Sequence, residues 1–116
     1  MSRQQAEQRG RGAETLACWY LRLKGWRILA RRARVPGGEV DIVARRGRTL
    51  AFIEVKARGS EEAAAFALDR YRLRRVAVAA ERLTPRYMRE GDDVRIDALF
   101  VVPRKLPRHL PNVWQG

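Results

Sequence analysis

The strongest constraint on how this chain can fold is charge placed inside its most apolar segments. Two short runs rich in Val, Ile and Phe, residues 39–45 and 49–57, carry ionisable residues in their interiors. The first reads Gly-Glu-Val-Asp-Ile-Val with Glu39 and Asp41; the second reads Phe-Ile-Glu-Val-Lys-Ala with Glu54 and Lys56. Both are too short for helices and too β-branched for loops, so they read as strands. Only Arg46-Gly47-Arg48 separates them, which predicts a β-hairpin. A two-residue Gly47-Arg48 loop with glycine first sets Arg46 opposite Thr49. Counting outward, Asp41 falls opposite Glu54 and Glu39 opposite Lys56, and all four side chains share a face. A slip of one residue would send Asp41 and Glu54 to opposite faces. Facing carboxylates repel, and Lys56 offers one positive charge for two or three of them. A divalent cation would remove the deficit, since Mg²⁺ is typically held by one or two carboxylates, waters and phosphate oxygens. The alternative is that arginines satisfy Asp41 and Glu54 as ordinary salt bridges.

The remaining segments alternate helix and strand signals. Residues 7–24 carry Ala13, Leu16, Ala17, Tyr20, Leu21 and Leu23 on one helical stripe, with Glu14 at its edge and Gly25 as a C-terminal cap. Residues 26–34 alternate loosely as a strand, and Pro36-Gly37-Gly38 is a turn. Residues 61–83 are Ala- and Arg-rich and helical, and Pro85 is expected to end that helix. Residues 94–102 form a fourth strand, with Ile96, Ala98, Phe100 and Val102 on one face and Asp97 on the other. Residues 103–116, punctuated by Pro103, Pro107 and Pro111, read as an irregular basic tail. At 116 residues without internal repeat or linker, the expectation is a single domain over residues 1–116.

Charge narrows the partner. The balance is +12, and of the 25 basic residues only Lys24, Lys56 and Lys105 are lysine. Such a field attracts polyanions, and arginine forks phosphate oxygens while staying charged. Nucleic acid is therefore the expected partner, with Arg58, Arg70, Arg72, Arg74 and Arg75 as phosphate contacts. A charged fraction of 33%, with no long apolar run, argues against a membrane protein. The first residues lack the apolar stretch of a secretory signal, and Cys18 is the single cysteine. The expectation is a cytoplasmic protein without disulfide or structural zinc.

Asp41, a gap of twelve residues and Glu54-Val55-Lys56 together resemble the Asp…Glu-x-Lys signature of the PD-(D/E)xK nuclease superfamily. Glu14 on a preceding helix resembles the additional acidic residue of archaeal Holliday-junction resolvases. More closely, the chain resembles the YraN family of small bacterial endonuclease-like proteins. The resemblance runs through Glu14-Thr15-Leu16-Ala17, Gly25-Trp26-Arg27-Ile28-Leu29, Gly38 to Ala44, Phe52 to Arg58, Arg95-Ile96-Asp97 and His109 to Trp114. It implies an α/β, restriction-endonuclease-like fold, a mixed central β-sheet flanked by helices. It also implies that Asp41, Glu54, the Val55 carbonyl and Glu14 hold Mg²⁺ or Mn²⁺. Lys56 would orient or deprotonate the attacking water or stabilise the charged phosphorus centre, with Glu39 in support. The chain departs from the family at Ala13, where glycine is usual, and at Arg72, where lysine is frequent; Val40 replaces the superfamily proline.

Three functions remain to be weighed: a metal-dependent endonuclease hydrolysing DNA, branched DNA included; a non-catalytic DNA- or RNA-binding protein with the same fold; and an adaptor for an acidic partner. An intact acidic set favours the first, because carboxylates facing phosphate gain a pure binder nothing. Junction-cutting relatives are homodimers, since two symmetric cuts need two sites, and the resemblance extends that state to this chain as an expectation.

Overall fold

The structure, a computed structural model, describes residues 3–57 and 70–114, with side chains from residue 12 onward. Helix α1 (Arg3–Leu23) leads into strands β1 (Arg27–Val35), β2 (Gly38–Arg46) and β3 (Thr49–Ala57). Helix α2 (Arg70–Tyr87), β4 (Asp93–Val101) and β5 (Arg108–Leu110) follow. The five strands lie in the order β1-β2-β3-β4-β5. β3 and β4 are parallel and the other neighbours antiparallel, so the sheet is mixed. A parallel neighbour demands a crossover, and the stretch containing α2 supplies it.

One helix covers each face. Ala13, Ala17, Cys18 and Leu21 of α1 pack on Ile42, Ala44, Ala51, Ile53, Leu99 and Val101. Leu73, Val76, Ala79 and Ala80 of α2 pack on Val40, Val43, Leu50, Phe52 and Ile96. Strands buried on both faces read as continuous apolar runs, which is why the hairpin looked so apolar. Gly25 closes α1 as foreseen: its φ is +90°, Trp26 N donates to Leu21 O at 2.9 Å, and Gly25 N donates to Arg22 O at 3.0 Å. Gly47, at φ +59°, opens the β2–β3 turn, and the ladder pairs Arg46 with Thr49 through to Ile42 with Ile53, the expected register.

Two expectations fail. Pro85 lies inside α2, which runs on to Tyr87. Proline there removes the donor to Glu81, but both residues are exposed and water can serve that carbonyl. The tail from 103 is not irregular throughout: Arg108–Leu110 pairs antiparallel with β4, and Val113 N donates to Ile96 O at 2.8 Å. Three residues are too few to show a period, and flanking prolines suit an edge strand. Asp97, fully buried on β4, anchors this segment. It accepts from Arg95 Nε at 3.0 Å, His109 Nε2 at 2.7 Å and Asn112 N at 2.9 Å. The carboxylate can only accept, which fixes the His109 proton on Nε2. Among the described residues no helix is long and apolar enough to cross a membrane.

The approach of α2 to the sheet is set at Gly38. A Cβ there would stand 2.5 Å from Arg75 O and 2.7 Å from Ala79 N, both backbone atoms of the helix. Gly38→Ala should therefore push α2 off β2 and cost about 1–3 kcal/mol, the range for overpacking a close contact. Gly12→Ala in α1, where nothing lies within 4 Å, should instead stabilise by about 0.5–1 kcal/mol. Denaturant melts of the two variants check the contrast, and an unaltered midpoint for Gly38→Ala would contradict the close approach.

Candidate functional site

Neighbouring residues on a strand point to opposite faces and alternate residues share one. β2 breaks that rule at Asp41. Val40 packs on the α2 side, whereas Ile42 packs on the α1 side. Across β1, Arg31 pairs with Ile42 and Ala33 with Val40, so Arg32 stands opposite Asp41. Arg32 has φ +51°, a left-handed conformation that L-residues seldom adopt. The β2–β3 ladder stops at Ile42 and Ile53 just beside this irregularity. Asp41 then uses its side chain where the backbone ladder ends: Val55 N donates to Asp41 Oδ2 at 2.8 Å.

The opened end of the sheet forms one wall of a cavity of about 280 Å³. Glu39, Asp41 and Glu54 line it from the strands, and Tyr71, Arg72, Arg75 and Val76 line it from α2. Of the four side chains expected to share a face, the carboxylates Glu39, Asp41 and Glu54 line this cavity, though Glu39 is not in the expected register. Glu54 is 2% exposed. Its Oε1 accepts from Arg72 Nε at 2.8 Å and lies 3.3 Å from Lys56 Nζ. Its Oε2 is buried and has no hydrogen-bond partner among the described residues. Asp41 is pushed up to about 6: burial is the main cause, the nearby Glu54 and Glu14 charges add to it, and the Val55 N–H and Arg72 oppose it.

Other predicted residues are placed differently. Glu39 belongs to the β1–β2 ladder opposite Arg34, with Arg34 Nε 3.6 Å from its Oε2. The β2–β3 register that would have set it opposite Lys56 does not extend that far, and Lys56 pairs instead with Glu54 on its own strand. Glu14 is buried and lies off the cavity wall. Arg32 Nε donates to both its oxygens at 3.1 Å, and Arg31 Nε reaches Oε1 at 3.4 Å. The left-handed backbone at Arg32 lets two successive arginines grip one carboxylate. Among the described residues no three acidic, His or Cys side chains gather as a cation cage. Val55 meets Asp41 through its amide.

Of the expected phosphate contacts, Arg72 and Arg75 line the cavity. Arg70 lies over the Trp114 ring, 5.7 Å from its centroid. Arg74 is exposed and is not part of the cavity lining, and Arg58 lies outside the described residues. Sequence reasoning missed Tyr71, an aromatic 64% exposed on the cavity wall, and the grip of Arg31 and Arg32 on Glu14. An aromatic beside the predicted arginines was the available signal for Tyr71; nothing in the pattern announces the φ of Arg32.

A family model described as "Uncharacterised protein family UPF0102" matches residues 13–101. A UPF0102 protein of Sphingopyxis alaskensis is 62% identical over 115 residues, covering 99% of both chains. One from Rhizorhabdus wittichii is 57% identical over 111 residues, covering 96% of this chain and 94% of its own. Among solved structures, the Holliday junction resolvase Hjc of Archaeoglobus fulgidus is similar, with TM-score 0.61 and 24% identity. The match covers 84% of this chain and 72% of that one, and shows a shared restriction-endonuclease-like fold.

The raised Asp41 sets a pH dependence. A carboxyl whose folded value exceeds its unfolded one favours the fold fully below about pH 4, and loses that contribution as pH climbs through about 6. At neutral pH its ionisation costs the metal-free protein on the order of 3 kcal/mol. Asp41→Asn keeps an oxygen for the Val55 amide and abolishes the charge. The metal-free variant should exceed wild type in stability at pH 7.5 and approach it by about pH 3, below the unfolded value of the carboxyl. Parallel stability curves for the two proteins in urea melts across that window would contradict this account.

Proposed function

The chain belongs to the uncharacterised protein family UPF0102, the family its sequence resembles under the name YraN, and from this and the site we propose that it is a divalent-metal-dependent endonuclease of DNA. The observation that carries the reading is the paired carboxylates Asp41 and Glu54 in an arginine-walled cavity, the Glu54 Oε2 buried and without a donor among the described residues. A carboxylate oxygen that buried normally has a partner. The residues fit a hard cation with one or two carboxylate ligands, Mg²⁺ or Mn²⁺, whose other ligands are waters and phosphate oxygens. Asp41 and Glu54 would hold it. When bound, it supplies a nucleophilic water at neutral pH and neutralises charge on phosphorus.

The chain's own residues have distinct tasks. Arg72 and Arg75 bind the phosphate from the α2 wall. Lys56, buried beside Glu54, brings positive charge to the reacting centre and, as a donor, orients the attacking water. Val55 N–H fixes the Asp41 carboxylate in place. The likeness to Hjc, named a Holliday junction resolvase, makes branched DNA the substrate class to test first, with two copies of the chain supplying two cuts. Net charge of +12 supports electrostatic, weakly sequence-selective binding.

The experiment is Mn²⁺-dependent cleavage of labelled four-way, flap, single-stranded and linear DNA. Lys56→Arg keeps the charge but has a different reach. It should leave folding and DNA affinity nearly intact while cutting the rate on the order of 100-fold, the scale for losing one transition-state donor. Wild type that binds these DNAs and cuts none would favour a non-catalytic binding protein. Equal cutting by wild type and Lys56→Arg would place the hydrolysis outside this site. Independently, replacing Arg72 and Arg75 by Ala should reduce the slope of log affinity against log salt by about 1–2.

A further inference from the structure

Among the described residues Glu54 is satisfied on one side only: Lys56 and Arg72 both address Oε1, while buried Oε2 has no donor. The two cations are not equivalent. Lys56 is buried on the same strand as Glu54, two residues away. Arg72 reaches from the first turn of α2, and its side chain is 47% exposed. Of the two cations on Glu54, Arg72 is the half-exposed one, and its guanidinium can turn from Glu54 toward solvent or a bound anion. Its bond to Glu54 uses Nε, and a guanidinium has further N–H donors matched to phosphate oxygens.

We propose that Arg72 is a latch shared between Glu54 and the substrate: it neutralises Glu54 in the free protein and transfers to a phosphodiester, releasing Glu54 to a divalent cation. Arg72 is thus a positioning residue that couples two ligands, a phosphodiester anion and a divalent cation. The inference rests on the metal-dependent reading above for the cation half, and on the Arg72–Glu54 geometry alone for the anion half. Arg72 on Oε1 competes with a cation at the same carboxylate. Glu54 in turn competes with phosphate for the guanidinium. By linkage, each ligand relieves the competitor of the other, so DNA and metal bind with positive coupling. Without DNA the chain holds its cation weakly, which limits metal loading ahead of substrate. Arg75 is the internal comparison, since it lines the same cavity and its guanidinium is not the one on Glu54.

The test uses the full chain and reads binding, not cleavage. Calorimetric titration with Mn²⁺ alone should show Arg72→Gln binding about tenfold tighter than wild type, the scale of typical coupling between sites. Arg75→Gln removes the same charge from the same wall and should tighten binding much less. Arg72→Lys, which retains charge without the fork, should fall between wild type and Arg72→Gln. In parallel, anisotropy measures metal-free affinity for a labelled oligonucleotide. Glu54→Gln should tighten DNA binding in the wild-type background, and do so distinctly less when Arg72 is already Gln. That excess is the freed guanidinium; the remainder is lost carboxylate repulsion. Equal effects of Arg72→Gln and Arg75→Gln on Mn²⁺, or weaker Mn²⁺ binding by Arg72→Gln, would overturn the coupling to metal. Mn²⁺ binding by neither wild type nor Arg72→Gln would overturn the metal reading itself, leaving the DNA cycle to decide the latch. An additive cycle overturns it, and a non-additive one sustains the exchange between Glu54 and phosphate.

Discussion

A carboxylate buried in the central strand of the sheet governs how this molecule is put together. Taking an ion out of water costs several kcal/mol unless partners replace the lost solvation. Glu54, on β3 between β2 and β4, receives Lys56 from its own strand and Arg72 from α2. The second helix is thus held by two kinds of force. Leu73, Val76, Ala79 and Ala80 fix its face against the sheet, and Arg72 ties its first turn to Glu54. Gly38, which lets the helix backbone meet β2, makes the reach of Arg72 short enough.

The buried or half-buried carboxylates fall into two groups. Asp97 and Asp92 are saturated. For Asp97, burial pushes upward, but His109, the Asn112 amide and Arg95 more than offset it, and the carboxyl lies below its ordinary value. For Asp92, the bidentate Arg45 fork and the Arg89 amide bring it down to about 2. Both close the structure, one binding β5 to the sheet and the other binding the turn after α2 to β2. Asp41 goes the other way, because one amide and a shared arginine do not outweigh burial beside Glu54. The unmatched balance at Asp41 lies in the cavity, and carboxyls perturbed in this way cluster at functional sites more than in structural ion pairs.

Much of the fold was legible because strong local rules agreed. Gly47 demanded a turn of one kind, which set the register of Arg46 with Thr49 and carried Asp41 and Glu54 to one place. Where a local rule met a tertiary exception, reading failed. Pro85 stays helical because its lost bond faces solvent, and β5 forms because β4 offers an edge that a three-residue segment can join. The grip of Arg31 and Arg32 on Glu14 runs through a left-handed backbone that no side-chain pattern encodes.

The sequence by itself determined the sheet-forming hairpin, the two helical faces and the identity of the acidic pair, since period, turn chemistry and buried charge act over a few residues. Which cations answer those carboxylates was decided only by the tertiary structure. Register counting assigned Lys56 to Glu39, but the ladder parts at Asp41, and Lys56 meets Glu54 on its own strand. The half-pairing of Glu54 with Arg72 depends on how closely a helix eighteen residues away can approach a strand. That distance is set by packing across the whole sheet, and no segment of the chain carries it alone.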